Sequence, residues 1–552
     1  MAILVTADNT SPLMEEDTVN GSVDYNGRPV YRSSSGGWRS ASFIIAAEVA
    51  ERFAYYGIAS NLITYLTGSL GQSMAAAAEN VNTWSGTTTL LPLLGAVVAD
   101  SFLGRYRTII YASIIYILGL GLLTVSGALT SHDVSPPWSQ VILFFFSLYL
   151  VAVGQGGHKP CVQAFGADQF DGQHPKESRE KSSFFNWYYC TSSAGINLAL
   201  IAVVYIQENV DWVFGFGIPC IAMVVALLVF LLGSRTYRYS VNQNATNPFV
   251  RIGKIIFRAV KNRLSTPSSI DAEEEAHSCG PEQFKFLNKA LLAPHESMDQ
   301  EASNVRDVEE TKALFRLIPI WVTSLSYAIV FAQTTTFFIK QGSTMNRTFF
   351  PGFQIPAASL QTFIGFAIII FMPLYDRIFV PYAKSLTGNP SGITMLQRIG
   401  TGMFVSGLSM VIAALVEKKR LETAKEYGLV DLPNMTIPMN IWWLVPQYVL
   451  CGIANVFTIV GLQEFFYDQV PEELRSVGLS LYLSVIGVGS FLSSFLVSVI
   501  DKATDRDGKE SWFSNNLNKA HLDYYYWLLA ALSVVGLIAY LNSARLYIYK
   551  RA

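Results

Sequence analysis

The chain has 552 residues, of which 51% are hydrophobic, 13% aromatic and only 14% charged, against about 25% charged in soluble proteins. That composition excludes an ordinary soluble domain and points to a polytopic integral membrane protein. With 39 Lys and Arg against 41 Asp and Glu, the chain has no overall basic field of the kind nucleic-acid binding needs. Of the five cysteines, Cys161, Cys190, Cys220 and Cys451 fall in apolar segments and Cys279 in a polar one, with no paired spacing for zinc or a disulfide framework. Neither a metal nor a cofactor is expected. The first 37 residues are polar, carry Glu15, Glu16 and Asp17, and lack a short apolar segment with a cleavage site, so no removable signal peptide is expected.

Apolar runs in chain order predict twelve membrane helices near 41–70, 78–102, 105–130, 138–170, 182–207, 211–236, 310–340, 357–384, 392–417, 439–468, 474–501 and 522–548. The expected organisation is a tail over 1–38, a six-helix bundle over 39–236, a polar linker over 237–307 and a second six-helix bundle over 308–552. Within the linker, 265–281 is rich in Ser, Pro and acid, while 249–264 sets Arg251, Lys254, Arg258, Lys261 and Arg263 among apolar residues. The second stretch reads either as a basic amphipathic helix on the bilayer surface or as a solvated linker helix. Arg105 and Arg107, then Lys176, Arg179 and Lys181, lie in alternate turns of the first half, which places both termini in the cytoplasm. Lys418, Lys419, Arg420 and Lys425 follow the ninth predicted helix and fall on the outer side, offset by Glu417, Glu422 and Glu426.

In the first apolar run stand Glu48, Glu51 and Arg52, roughly 10 to 17 Å past its start and so close to the middle of a core about 30 Å thick. Spacings of three and four residues put them on one helical face, Glu48 preceding Arg52 in the order that favours an i,i+4 pair, and Tyr55 and Tyr56 continue the stripe. A charge at that depth costs roughly 2.5 to 3.5 kcal/mol, so the three read as a buried ionisable site; a purely structural ion pair is the alternative.

The turn Gly95-Ala-Val-Val-Ala-Asp100-Ser-Phe-Leu-Gly104-Arg105-Tyr106-Arg107 has a counterpart in Tyr375-Asp376-Arg377 and Gln397-Arg398-Ile399-Gly400. Asp100 is placed to bond Arg105 or Arg107 in a latch; a simple topology-determining basic loop fits equally well. This turn resembles the signature of the major facilitator superfamily, and Glu48-Val-Ala-Glu51-Arg52-Phe53-Ala-Tyr55-Tyr56-Gly57 is similar to the ExxERFxYYG string of proton-dependent oligopeptide transporters. Phe165-Gly-Ala-Asp168-Gln169-Phe170-Asp171, Phe184-Phe185-Asn186-Trp187, Phe353-Gln-Ile355-Pro356-Ala-Ala-Ser359-Leu360 and Asn515-Asn516-Leu517-Asn518 resemble the plant nitrate/peptide transporter branch. The resemblance covers Gly27 to the C-terminus. It implies an all-α integral membrane protein of major facilitator fold, with Glu48, Glu51 and Arg52 coupling proton movement to solute movement by alternating access.

Lys159 lies in Gly154-Gln155-Gly156-Gly157-His158-Lys159-Pro160; spacing leaves open whether it snorkels to the surface or faces a cavity, and the resemblance implies that it faces the ExxER cluster. Two carboxylates and two cations sum to zero, so protonating one glutamate frees a cation for a solute. Either glutamate is able to carry that proton. Gln333, Phe331 and Asn455 are candidates for the solute cavity in the second half, although each also fits ordinary packing. By the resemblance, Asn455 stands where peptide transporters carry an acid, and Phe331 where a nitrate-binding histidine would fall. The expected function is proton symport of a small anion or carboxylate-bearing solute such as nitrate or an organic acid, with protons, the solute and the bilayer as partners. A di- or tripeptide symporter and a non-transporting sensor are the alternatives. An ATP-driven pump or an enzyme is not expected, since no GxxxxGK[ST], HExxH or GxSxG string occurs. Thr108 beside Arg105 and Arg107 is either a phosphorylation site or a helix-end threonine, and Asn346-Arg347-Thr348 and Asn434-Met435-Thr436 are sequons on the expected outer side. The plasma membrane and the vacuolar membrane both fit.

Overall fold

The computed structural model describes residues 18–129, 137–171, 174–240, 252–258, 260, 298–387, 393–470, 475–505 and 511–547. They form an almost wholly helical protein. Helix α1 is Gly37–Ala59, α2 Leu62–Gly68, α3 Met74–Val98, α4 Arg105–Ala128, α5 Trp138–Ala167, α6 Pro175–Leu198, α7 Val204–Asn209 and α8 Trp212–Leu232. In the second half α9 is Met298–Phe331, α10 Phe337–Ser343, α11 Thr362–Leu374, α12 Val380–Thr387, α13 Met395–Glu426, α14 Val445–Asp468, α15 Arg475–Thr504 and α16 Leu522–Leu546. Ten spans among the described residues are long and apolar enough to cross a membrane. The helices α1 and α3 fall outside that set because Arg39, Glu48, Glu51 and Arg52 in one, and Glu79, Asn80, Asn82 and a run of Ser and Thr in the other, lower their hydropathy. Their 23 and 25 residues still reach about 35 Å or more, enough to span.

Several predicted helices are broken or longer than expected. The run 41–70 divides at Ser60 and Asn61, where the carbonyl of Ser60, freed by the break, accepts the Gln361 side chain at 3.0 Å. The run 310–340 divides at Ala332–Thr335, where Thr334, Thr335 and Thr336 turn their hydroxyls back onto carbonyls three and four residues earlier. The ninth expected helix, 392–417, is α13, started by a capping box between Thr394 and Gln397 and running nine residues further than the apolar pattern, to Glu426. The charged residues expected to follow that helix therefore lie inside it. Strands also appear: β1 (Thr18–Val23), β2 (Pro29–Tyr31) and β3 (Tyr239–Ser240) form an antiparallel sheet in the order β2-β1-β3, so part of the expected tail and the first residues of the linker are structured. Further on are β4 (Met345–Asn346), β5 (Thr348–Phe350), β6 (Phe353–Gln354) and β7 (Ile437–Asn440), with β4 parallel to β7. Of the 249–264 stretch, 252–258 is helical, with Ile252 packed on the core of the second half and Phe257 exposed; the Ser- and Pro-rich 265–281 lies outside the described residues.

The chain divides into two compact units. One holds the chain up to Ile58 and from Leu91 to β3; the other holds Ala59–Leu90, a segment early in the sequence, with the helices from α9 onward. In the first unit a polar clasp ties β1–β3 to the helix ends. Arg238, 1% exposed, donates to both Glu177 carboxylate oxygens, at 2.7 and 3.2 Å, and to the carbonyls of Gln169 and Ser35; Arg32 pairs with Asp171 at 2.6 Å. Gly36 sits at φ +74°, and a Cβ there would strike the Arg238 guanidinium. Beneath the clasp Tyr106, Phe165, Phe230, Tyr237 and Tyr239 pack edge to face and in stacks.

In the second unit α13 projects a fully buried ion pair. Arg420 donates to both oxygens of Glu417, from Nη2 at 2.6 Å and Nε at 2.8 Å, and to Asn518 Oδ1 and the Leu517 carbonyl. Asn516 and Asn518 in turn donate to the carbonyls of Val430 and Leu429, so this pair fixes the loop after α13 to the loop before α16.

Two outcomes follow from these two sites. Burial disfavours the Glu177 charge, but the Arg238 guanidinium, the Asp171 amide and the Arg32 charge outweigh it and hold the carboxyl below its usual range. A depressed carboxyl stabilises above its unfolded pKa and loses that contribution only as pH falls through the folded value, so hydrogen-exchange protection of β1 is expected to hold between about pH 7 and pH 5 and to fall below the ordinary carboxylate range. Glu177→Gln removes that protection at every pH. At the other site Arg420→Ala strands a buried carboxylate, costing about 3 to 5 kcal/mol, whereas the double variant Glu417→Leu/Arg420→Met is expected to lie much closer to wild type. Thermal-unfolding midpoints in detergent check the order.

Candidate functional site

The charged face of α1 is buried within the first unit. Glu48 and Glu51 are 0% exposed, and Arg52 is mostly covered. Helical spacing brings the Arg52 Nε to 2.7 Å from Glu48 Oε1 and 3.6 Å from Glu51 Oε2. The two carboxyls are therefore not equivalent. Glu48 accepts the Arg52 Nε–H through one oxygen, its other oxygen being buried, whereas Glu51 stands farther from Arg52 and has Gln155 as a hydrogen-bonding neighbour. Tyr55 and Tyr56 stand half-buried one turn further on, ring to ring at 5.2 Å.

Helix α5 supplies the rest. Gln155 and Lys159, one turn apart, are polar neighbours of Glu51, and the Lys159 charge acts on both glutamates and on Arg52. Thus the structure brings Lys159 to the α1 cluster, although its interaction there is electrostatic; the short ion pairs of the cluster are those of Arg52. The glycines around Lys159 do not loosen the helix, which runs unbroken through Pro160. They let it lie against its neighbours. A Cβ on Gly154 would come 2.7 Å from Tyr116, one on Gly157 2.9 Å from Ala112, and one on Gly95 of α3 would strike the Gly156 carbonyl. Close approach of α5 to α3 and α4 is what holds its polar face in place.

Further groups line the cluster that the sequence did not single out. The Tyr116 hydroxyl is buried without a hydrogen-bond partner and the Tyr188 hydroxyl is buried beside Glu48, and both lie within electrostatic reach of Glu48 and Glu51. Each is one of the 27 tyrosines of the chain, and its residue type alone carries no distinguishing signal. His158 is buried with Nδ1 unpartnered. Among the described residues no three His, Cys, Asp or Glu side chains gather as a metal would require.

The expected latch has a described contact on one side. Arg105 pairs with Asp168 at the end of α5, Nη1 to Oδ2 at 2.6 Å, while Arg107 is exposed and the Asp100 side chain lies outside the described residues. In the second unit Arg398 at the start of α13 pairs with Glu464 near the end of α14 at 3.3 Å, donates to the Val456 carbonyl and covers the Tyr375 ring at 4.5 Å. Thr108 is 5% exposed and donates to the Gly104 carbonyl, as a helix-end threonine does.

Of the second-half candidates, Phe331 and Asn455 come together through Tyr327. Its hydroxyl donates to Asn455 Oδ1, and its ring stacks on Phe331 at 6.2 Å. Gln333 is fully buried and donates to the Ile329 carbonyl and to Ser493, which also accepts from Asn82.

Comparison with known proteins places this arrangement. The profile of the POT family (PTR2) matches residues 106–513. Among curated relatives, Protein NRT1/PTR FAMILY 5.10 of Arabidopsis thaliana is 61% identical over 540 residues, covering 96% of each chain, and NRT1/PTR FAMILY 5.14 of the same plant is 59% identical over 546 residues, covering 98% of each. Among solved structures, an auto-inhibited POT family peptide transporter aligns with a TM-score of 0.72 at 22% identity over 93% of this chain and 99% of that one. The POT family transporter PepTSo aligns at 0.70 and 21% identity over 92% and 98%. These structures share the fold, and the sequence relatives fix the family. The chain is a multi-pass membrane protein that belongs to the POT family of transporters, in its plant NRT1/PTR branch.

Proposed function

We propose that this transporter is a proton symporter for a small anion or carboxylate-bearing solute, oriented with both termini in the cytoplasm, in which Glu51 carries the proton. The supporting observation is the inequality of the two carboxyls: Arg52 donates to Glu48 at 2.7 Å and stands 3.6 Å from Glu51. Glu51 exchanges a proton without first breaking the Glu48–Arg52 pair. While Glu51 is charged, its neighbour Lys159 has an internal counter-ion; once Glu51 is neutral, Lys159 is left as an uncompensated cation in a low-dielectric site. An anionic solute arriving there restores neutrality. Release of the solute and of the proton returns Lys159 to Glu51, which ties the two movements together. Arg105–Asp168 and Arg398–Glu464 are the gate elements of this cycle, one in each unit.

For the solute class the supporting observations are the cations in the first unit and the neutral second-half group. Asn455 already shares its carbonyl oxygen with Tyr327, and Phe331 stacks on the same ring, so this group offers no negative charge to a peptide ammonium. A structural relative was solved with 5-aminolevulinic acid, a carboxylate-bearing solute.

In proteoliposomes Glu51→Gln is expected to lose proton-gradient-driven accumulation down to the gradient-free level while retaining solute exchange, since the amide fixes the neutral state without disturbing Glu48 and Arg52. Undiminished gradient-driven uptake by this variant removes Glu51 from the mechanism. A competition panel of nitrate, organic carboxylates, dipeptides and neutral glycosides at mildly acidic outside pH identifies the solute. Uptake of nitrate or a carboxylate, lost in Lys159→Ala, is the expected result; dipeptide accumulation that survives Lys159→Ala overturns the cation-centred site, and binding without accumulation identifies a sensor.

A further inference from the structure

The second unit contains two glycosylation triplets that differ in exposure. Five triplets of the chain have the Asn-X-Ser/Thr form with X other than proline, beginning at Asn9, Asn20, Asn244, Asn346 and Asn434. Three belong to the tail and the linker. In the orientation proposed above, on which this inference rests, only Asn346 and Asn434 face away from the cytoplasm. The structure separates these two. Asn346 is half-buried in β4 beside β7, its Oδ1 accepting the Thr348 amide at 3.0 Å. Asn434 lies in an exposed run, 431–436.

Reach separates them further. The apolar part of α13 ends near Val416, and the helix continues from Glu417 to Glu426, ten residues that add about 15 Å beyond it. This extension is held by the buried Glu417–Arg420 pair. Its tip is braced from the loop before α16 by Asn516 on Val430, Asn518 on Leu429 and an ion pair of Lys519 with Asp431 at 3.0 Å. Gly428, at φ +67°, turns the chain off the helix, and Asn434 follows six residues later in full exposure.

We propose that Asn434 carries an N-linked glycan and that Asn346 does not. The Asn434 amide nitrogen attacks the anomeric carbon of an oligosaccharide held on a polyisoprenyl diphosphate; a C–N bond forms, the C–O bond to the diphosphate breaks, and the amide proton lost is balanced by the departing polyisoprenyl diphosphate. No electrons are transferred to or from an outside donor.

Translation of the full chain with eukaryotic microsomes, followed by endoglycosidase H, tests the assignment. The expected result is a single mobility step in the wild type that is lost in Asn434→Gln and in Thr436→Ala and kept in Thr436→Ser and in Asn346→Gln. The two routes to loss guard against a variant that merely fails to insert. A wild-type chain without a step overturns the site and leaves the orientation to be read by protease protection. A step that survives both Asn434→Gln and Thr436→Ala overturns the site too, and one traced to Asn9, Asn20 or Asn244 overturns the orientation with it.

Discussion

A charge inside a membrane-spanning helix must be neutralised by the protein, because the bilayer offers no water to do it. The first unit is arranged around this constraint. Glu48 and Arg52 satisfy it within one helix, at 2.7 Å and one turn apart, so their pairing needs nothing from the rest of the chain. Glu51 is different. Arg52 stands farther from it, at 3.6 Å, and Gln155 and Lys159 reach it from α5, so its surroundings depend on a second helix as well as on its own.

Packing of α5 is then as important as the charges. The glycines Gly154, Gly156 and Gly157 remove the side chains that would hold it off α3 and α4, and the contacts they permit are with backbone or Cβ atoms of Leu91, Ala112 and Tyr116. Backbone contact leaves no rotamer slack. The second unit repeats the device between α13 and α14, where Gly402 meets Thr458 and Ala454, and Gly461 meets Ile399. Both units also place an arginine at the start of one helix of this pair and an acid near the end of the other, Arg105 with Asp168 and Arg398 with Glu464. The internal repeat is therefore a repeat of the third and fourth helices of each half, glycine contact and terminal ion pair together.

Much of this was legible in the sequence. The spacing of Glu48, Glu51 and Arg52 gives a single helical face, and the structure makes the i,i+4 pair that the order of residues favours. The contact of Arg105 with Asp168 was not legible, because the two are near only once α4 and α5 have packed. Nor was the length of α13. A hydropathy pattern ends where charges begin, and Glu417 and Arg420 are 0% exposed only because each is the other's counter-ion and Leu517 and Asn518 complete their bonds. The threonines at 334–336 break a helix that apolar periodicity alone would continue, since their hydroxyls compete for its carbonyls. Tyr116, Tyr188 and Tyr327 were not legible for a common reason: a tyrosine on a membrane helix becomes informative only when its hydroxyl has a neighbour.

The helix α3 bears on how such a molecule can move. Its residues up to Leu90 belong to the second unit and those from Leu91 to the first. Within the second unit its contacts are short polar pairs, Asn82 with Ser493 at 3.1 Å and Thr83 with Ser494 at 2.9 Å, and the backbone approach of Gly86 to Gly487. No formal charge is buried in these pairs, and each neutral hydrogen bond contributes only about 0.5 to 1.5 kcal/mol net, because water replaces the partner on separation. The clasp of the first unit is the opposite case: Arg238 is buried with Glu177, and parting them would leave a charge without its partner. Inside the two units, then, the same polar residue types hold helices together at two strengths: buried ion pairs that cannot be parted without stranding a charge, and neutral hydrogen-bonding side chains whose separation costs far less.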